Sequence, residues 1–352
     1  MYRVALVGAT GAVGTEMLRQ LHKRGFPASE IVPFASERSA GRPLDGTSEP
    51  VRALVPGADI TGFDLALFSA GGSRSREWAP RFRDAGAVVV DNSSAWRMDP
   101  EVPLVVTEVN PEALHGHRGI VANPNCTTMV CMLPLEALHR AFGLEAIVPT
   151  SFQAAGGAGQ KGMDELYAQF PAVLADREQL VVDGEAARRK VSHAVHEDTL
   201  AMNVVPQLGT LNDQGYTDEE LKLQNESRKI LGLPALRVSP TCVRVPVMVG
   251  HAVQIRAQFR DPVDVASARE VLEGFPGMVL DDLPTPLAYA GRDEVAVGRL
   301  RGDLADPHAL NFFVVGDNLL KGAALNTVQI AEVLHERGLL SAPGGILSRS
   351  RA

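Results

Sequence analysis

Residues 3–8, Arg-Val-Ala-Leu-Val-Gly, are apolar with hardly a break. Such a run predicts a strand buried on both faces, as in a parallel sheet. The next ten or so residues change period: 15–24 place apolar side chains on one side only, which predicts an amphipathic helix. The alternation repeats along the first third of the chain. Strands are expected at 31–35, at 64–68 and at 87–91, with a helix at 73–85, and Gly119-Ile-Val-Ala122 reads as one more buried strand. Strands alternating with helices at this spacing predict a doubly wound parallel sheet, whose ligands collect at the carboxyl ends of its strands.

The second half reads differently. A strand is expected at 144–152 and a polar helix at 216–231. The stretch 241–259 shows β-branched alternation, interrupted at Pro246 and Gly250. If that strand were unbroken, Arg244 and His251 would face opposite sides, but Gly250 permits a bulge that resets the parity. A surface helix at 263–273, a strand and loop at 310–318 and a final helix at 321–337 complete the pattern. The Gly- and Ser-rich tail from Ala342 reads as frayed. The two domains implied are an α/β unit and an α+β unit.

Composition narrows the class. The chain has 352 residues, 45% of them hydrophobic but only 5% aromatic, so the core rests on aliphatic side chains. A net charge of −8 without a basic block argues against nucleic acid or a membrane surface as partner. The longest apolar runs are too short to span a bilayer, and the first is too short for a secretory signal. Cys126, Cys131 and Cys242 form no CxxC pair, so reduced thiols in a cytoplasm are expected. His193 and His196 lie three apart, but no third ligand recurs at metal-site spacing, so an exposed polar turn or a subunit contact is expected there.

The chemistry concentrates after strands. Gly8-Ala-Thr-Gly11-Ala-Val-Gly14 joins the first strand to the first helix, where glycines let the backbone approach a pyrophosphate at a helix N-terminus. After the second strand comes Ser36-Glu-Arg38-Ser39 rather than a terminal acid. A guanidinium between hydroxyls suits a 2′-phosphate and favours NADP, although Glu37 leaves NAD open. Asn123-Pro-Asn-Cys126 follows another strand and precedes an apolar helix. A thiol at a helix N-terminus is favoured as thiolate. The alternative is a small buried cysteine behind an ordinary turn.

Together with Asp91-Asn-Ser-Ser-Ala-Trp-Arg97, Phe152-Gln-Ala-Ala-Gly-Gly-Ala-Gly159, Arg244-Val-Pro-Val-Met-Val-Gly-His251 and Gly316-Asp-Asn-Leu-Leu-Lys-Gly322, these motifs resemble the aspartate-semialdehyde dehydrogenase family over nearly the whole chain. The resemblance implies a Rossmann-like NADP-binding domain from residues 1–125 plus the helix at about 321–340. It implies a catalytic and dimerisation domain from 126–320, and a homodimer. It makes Cys126 the nucleophile, which forms an acyl-thioester between β-aspartyl phosphate and aspartate semialdehyde on the route to lysine, threonine and methionine. His251 would be the general acid/base with a pKa near neutrality, and Gln153 would position the substrate. Arg244 would clamp the substrate carboxylate and Glu219 its ammonium, with Asn125 also at the substrate. Arg97 and Lys222 would bind phosphate, although Glu219 and Lys222 could equally be an ordinary ion pair on one helix face. Thr10, Gly11, Ala12, Val13, Arg38, Ser39, Gly156, Gly157 and Asn318 would hold the cofactor. Two departures stand out: Gly156 where the family often has Ser, so that a hydroxyl contact is expected to be missing, and Trp96 where Phe is usual. The competing readings are a reductase of N-acetyl-γ-glutamyl phosphate, which has no use for Glu219, and an NADP sensor with a redox-active thiol.

Overall fold

The computed structural model describes residues 1–175 and 177–340, so the tail from Ala342 lies outside the described residues. The chain divides into two compact units, one formed by 1–124 with the C-terminal segment from 323, the other by 125–322.

In the first unit the described residues build a six-stranded sheet from β1 (Tyr2–Val7), β2 (Ala28–Ala35), β3 (Arg52–Ala53), β4 (Leu65–Phe68), β5 (Val88–Asp91) and β6 (Ile120–Ala122). All pairs are parallel, in the order β3-β2-β1-β4-β5-β6. That is the doubly wound order of dinucleotide-binding sheets. The strands are apolar runs because both faces are covered: Val4, Leu6, Leu65, Leu67, Val88 and Val90 share one core with Met17 and Leu21 of α1 (Ala12–Lys23). Val328, Ala331 and Leu334 of the last helix, Leu325–Glu336, close the same core. Helix α1 starts three residues earlier than its apolar face implies, because Gly11 already serves as N-cap. A Cβ at Gly14 would lie 2.1 Å from the Gly8 carbonyl oxygen, so the turn can close only with glycine there. Helix α2 (Gly72–Asp84) follows β4.

The second unit opens with α3 (Cys126–Phe142). Its N-cap, Asn125, accepts backbone N–H bonds from Thr127 and Thr128, and Gly143, in the left-handed region, ends it. Residues 127–138 of α3 are buried all round, as in a core helix. A mixed sheet of β7 (Leu144–Gln153), β8 (Arg237–Val238), β9 (Thr241–Arg244), β10 (His251–Phe259), β11 (Met278–Leu280), β12 (Val295–Gly302) and β13 (Ala309–Gly316) runs β11-β12-β13-β10-β7-β8, with β9 also on β7. Its helices include α4 (Gly159–Leu174), α5 (Arg177–Val182), α6 (Gly184–Arg188), α7 (Asp218–Ile230) and α8 (Val265–Glu273). The stretch expected as one interrupted strand is two strands lying on the same neighbour. β9 pairs with β7 in parallel, Gln153 opposite Arg244, and β10 pairs with it antiparallel, Ala252 opposite Phe152. Gly250, at φ +98°, is the hinge of that reversal.

Candidate active site

Cys126 is the first residue of α3, and its Sγ lies 3.2 Å from Nε2 of His251, the first residue of β10. The ring is fully buried, and the Ala154 N–H donates to its Nδ1 at 3.0 Å. Only an unprotonated Nδ1 can accept that bond, so the ring proton sits on Nε2, toward the sulfur. Burial, and then the nearby Arg244 guanidinium, push the imidazole down to about 3. The near-neutral value implied by the resemblance is therefore corrected: a second ring proton would have to face both Arg244 and the Ala154 N–H. The other two thiols are buried, and desolvation raises both, Cys242 to about 12. Cys126 alone of the three is partly exposed.

The reversal at Gly250 resets the parity between Arg244 and His251. Both side chains reach Gly157, where a Cβ would lie 2.7 Å from Arg244 Nη1 and 3.2 Å from His251 Cε1. Arg244 Nη1 donates to the Ala154 carbonyl at 2.8 Å, and its buried Nε has no partner. An orphaned guanidinium N–H of this kind fits an anionic ligand. Gln153, beside Arg244 at the end of β7, is buried and donates to Ser151.

Asn125 meets α7. Its Nδ2 donates to Glu219 Oε1 at 2.8 Å, and the other Glu219 oxygen takes the Lys222 ammonium at 2.9 Å. Burial alone would raise the Glu219 carboxyl, but Lys222, the Asn125 bond and the charge of Arg244 hold it below the usual range. Lys222 moves the complementary way, its charge favoured by Glu219 and Asp218 against its own desolvation. The pair is thus more than the surface salt bridge that spacing alone allowed. Asn318 accepts the Gly250 N–H through Oδ1 at 2.8 Å, and its buried Nδ2 has no partner. A Cβ at Gly156 would stand 2.8 Å from the Met248 carbonyl oxygen and 3.4 Å from that amide. The serine usual in the family therefore has no room here without a shift.

The first unit holds a cavity of about 260 Å³ lined by Gly8, Thr10 and Gly11 of the glycine turn, Ala35 and Ser36 after β2, Ser69 and Ala70 after β4, and Arg74. No side chain caps α1 and no acid stands in its first turn, so its N-terminal N–H groups suit a pyrophosphate. Ala12 and Val13 form that first turn. Ser39 is buried, whereas Arg38 is exposed on the short helical turn Glu37–Ser39. Arg74 lines the cavity itself, held by one bond from Nη1 to the Leu54 carbonyl. Arg97 is buried, with Nε on the Asn123 carbonyl and Nη2 on that of Asn92, both at 2.9 Å. Trp96 gives its indole N–H to Ser75, a partner phenylalanine could not use.

Two residues escaped the sequence reading. Arg74 is one of several arginines on α2 and carries no local signal. Glu226, almost completely buried, accepts the Asn125 N–H at 2.6 Å. Its spacing of seven from Glu219, two helical turns on the same face, is the clue that was available. His196 corrects the exposed-turn expectation: it is buried, with Nε2 on the Gly162 carbonyl, while His193 approaches Asp198 at 3.9 Å. Among the described residues no three His, Cys, Asp or Glu gather as a metal site would, and no helix is long and apolar enough to cross a membrane.

A doubly wound sheet with an open glycine turn, on a chain that also sets a thiol against an imidazole and a buried guanidinium, defines a nicotinamide-dinucleotide-dependent oxidoreductase. Residues 3–117 match the model described as semialdehyde dehydrogenase, NAD binding domain, and residues 135–321 that described as semialdehyde dehydrogenase, dimerisation domain. The aspartate-semialdehyde dehydrogenase of Streptomyces akiyoshiensis is 52% identical over 94% of this chain and 98% of its own. That of Corynebacterium melassecola is 50% identical over 95% and 99%. Aspartate semialdehyde dehydrogenase II from Vibrio cholerae, solved complexed with ASA, matches with a TM-score of 0.88 at 41% identity, covering 96% of this chain and 98% of that one. The chain belongs to the aspartate-semialdehyde dehydrogenase family.

Proposed function

We propose that this chain interconverts β-aspartyl phosphate and aspartate semialdehyde with NADP through an acyl-thioester on Cys126, in the biosynthesis of lysine, threonine and methionine. The observation that carries the reading is the Cys126 thiol at the start of α3, 3.2 Å from a buried His251 Nε2. In the reductive direction the Cys126 sulfur attacks the acyl carbon and phosphate leaves, giving the thioester. NADPH, when bound, supplies the hydride. The resulting thiohemiacetal oxyanion collapses to the aldehyde and returns the sulfur as thiolate.

His251 starts this sequence as a neutral donor. Its Nε2–H faces the Cys126 sulfur and then holds the oxyanion of each tetrahedral stage. Acting as a base on the thiol requires the other tautomer, at the expense of the Ala154 bond. Arg244 offers its orphaned Nε to the substrate carboxylate, Gln153 is assigned to positioning the substrate, Asn125 immediately precedes the thiol, and Glu219 with Lys222 presents paired charges to the ammonium and phosphate ends. Arg97 is assigned to phosphate. Residues 1–125 with the last helix are assigned as the cofactor domain, and Thr10 to Val13, Arg38, Ser39, Gly156, Gly157 and Asn318 are assigned to the cofactor. The choice of NADP rests on cationic Arg38 and Arg74 near the end of β2, where a cofactor without the 2′-phosphate would meet an acid. The dimerisation-domain match supports a homodimer, and three free thiols support a reducing, cytoplasmic setting.

The test is an absorbance assay at the NADPH band with semialdehyde, phosphate and NADP, repeated with NAD and with the N-acetyl-glutamyl substrate. Cys126→Ala should abolish turnover with NADP affinity unchanged, and Cys131→Ala should keep most activity. With phosphate omitted, intact mass should show an adduct on the parent. Equal activity of parent and Cys126→Ala ends the proposal.

A further inference from the structure

Every hydrogen-bonding group of Asn125 on the described geometry points to either α3 or α7. Its Oδ1 caps α3 through the N–H groups of Thr127 and Thr128, at 2.9 and 3.2 Å. Its Nδ2 goes to Glu219 at 2.8 Å and its backbone N–H to Glu226 Oε2 at 2.6 Å. The residue that follows is Cys126. Helix α7 therefore grips the peptide just ahead of the thiol with two carboxylates from one face, and the grip is shielded from water, Glu226 being 1% exposed. Nothing in the proposed chemistry uses Glu226.

We propose that Glu226 is a positioning residue: it fixes the backbone of Asn125 and thereby the aim of the Cys126 thiol at His251. The inference rests on Cys126 being the reactive group. A sulfur–nitrogen bond of 3.2 Å tolerates little displacement, and a shift of about 1 Å at a reacting centre can cost on the order of a hundred-fold in rate. Glu219 holds the Asn125 side chain, whereas Glu226 holds its backbone N–H from outside α3, the carbonyl accepting from Met129 within that helix. If the main chain is released, the capping Asn125 and the first turn of α3 move together with the sulfur.

Two conservative variants separate reach from charge. Glu226→Gln keeps the length and an oxygen acceptor but removes the charge. Glu226→Asp keeps the charge but withdraws the carboxylate by about one C–C bond, roughly 1.5 Å, which takes the contact beyond hydrogen-bond range. Both are scored for kcat and KM and for the rate at which iodoacetamide alkylates Cys126, read by intact mass; the other two thiols are buried. We expect Glu226→Gln to stay within about threefold of the parent in kcat and twofold in alkylation. Glu226→Asp should lose about tenfold or more in kcat and slow alkylation about threefold or more, as a loosened N-terminus stabilises thiolate less well. The semialdehyde KM and the NADPH dissociation constant should both remain within about twofold. Ser227→Ala, which breaks a buried bond to the Leu223 carbonyl on the same helix, controls for general destabilisation and should keep its kcat.

The inference falls if Glu226→Asp matches the parent, if Glu226→Gln is as impaired as Glu226→Asp, or if Ser227→Ala loses as much kcat. Should Glu226→Asp fail to fold, the decision passes to Glu226→Gln, whose retained kcat and alkylation support positioning and whose loss of either overturns it. The alkylation arm reads the thiol whether or not the chain turns over. A parent without turnover refutes the functional reading, whereas equal alkylation of parent and Glu226→Asp refutes this one.

Discussion

The two units handle their ligand-facing residues in opposite ways. In the first, the apolar sheet stays sealed and the cavity is lined by the glycine turn, the ends of β2 and β4, and Arg74, while Arg38 stands in solvent on the turn after β2. In the second, many candidate residues are themselves buried. His251, Arg244, Asn125, Asn318 and Glu226 lie inside and bond to main chain or to one another, and buried Gln153 donates to Ser151. A groove read by backbone tolerates side-chain change, because each side chain there adds one screened contact. A buried polar cluster transmits change, because each member satisfies another and a lost partner leaves a desolvated group behind.

The largest expected effect follows from that contrast at Arg244. Arg244→Lys keeps the charge but loses the planar fork and the Nε donor. It should lower kcat/KM for semialdehyde about a hundred-fold, with a fall in kcat, while the phosphate KM stays near the parent's. Arg97→Lys, in the first unit, should instead raise the phosphate KM about tenfold and spare the semialdehyde KM. Steady-state kinetics with each substrate varied in turn checks both. A common pattern for the two variants would break the assignment.

His251 carries the next effect, on stability. A buried imidazole held down to about 3 stays neutral in the folded chain, whereas in the unfolded chain it takes a proton near 6.5, the ordinary value for histidine. Between those values the unfolded state binds the extra proton, so stability falls as pH drops below 6.5 and is unaffected above it. At pH 5 the loss is about 2 kcal/mol, from 1.36 kcal/mol per pKa unit. His251→Gln should lack this component, so urea unfolding at pH 7 and pH 5 should show parent and variant converging by about that amount. Parallel behaviour of the two would show that the ring is solvated.

The smallest effects belong to the cofactor cations. Arg74→Ala and Arg38→Ala should each weaken NADP about tenfold, or about 1.4 kcal/mol, and leave NAD within twofold, measured by fluorescence titration without turnover. If only Arg38→Ala weakens NADP, the exposed arginine alone reads the phosphate. If neither variant discriminates between the cofactors, the NADP argument fails.

Much of the first unit was legible in the sequence because strands covered on both faces must be apolar, and glycines packed backbone to backbone cannot be replaced without a clash. The start of α3 was legible for a related reason: Pro124 stops the strand, and Asn125 is a preferred cap. The second unit yielded less. Alternation along 241–259 predicted one strand, and only the paired interruptions at Pro246 and Gly250 hinted that the chain reverses. The titration of His251 was not legible at all, since it depends on the burial of the ring and on the charge of Arg244, which tertiary structure brings beside it. Glu226 looked like one more acid on a polar helix until tertiary contact gave it a partner. Exposure follows from sequence pattern far more readily than the identity of the partner does.

The unpartnered Arg244 Nε and Asn318 Nδ2 have an evolutionary reading. An N–H sealed from water without an acceptor costs about 1–3 kcal/mol, so the ligand-free protein tolerates two such groups where an apolar side chain of similar size would be more comfortable. Selection for thermal resilience alone would favour Met or Leu at 244, and selection for turnover would restore arginine. Duplicated copies released from metabolic duty should lose these positions early, while the aliphatic strands of the first unit persist. A library screened by heat would retrace the same decay.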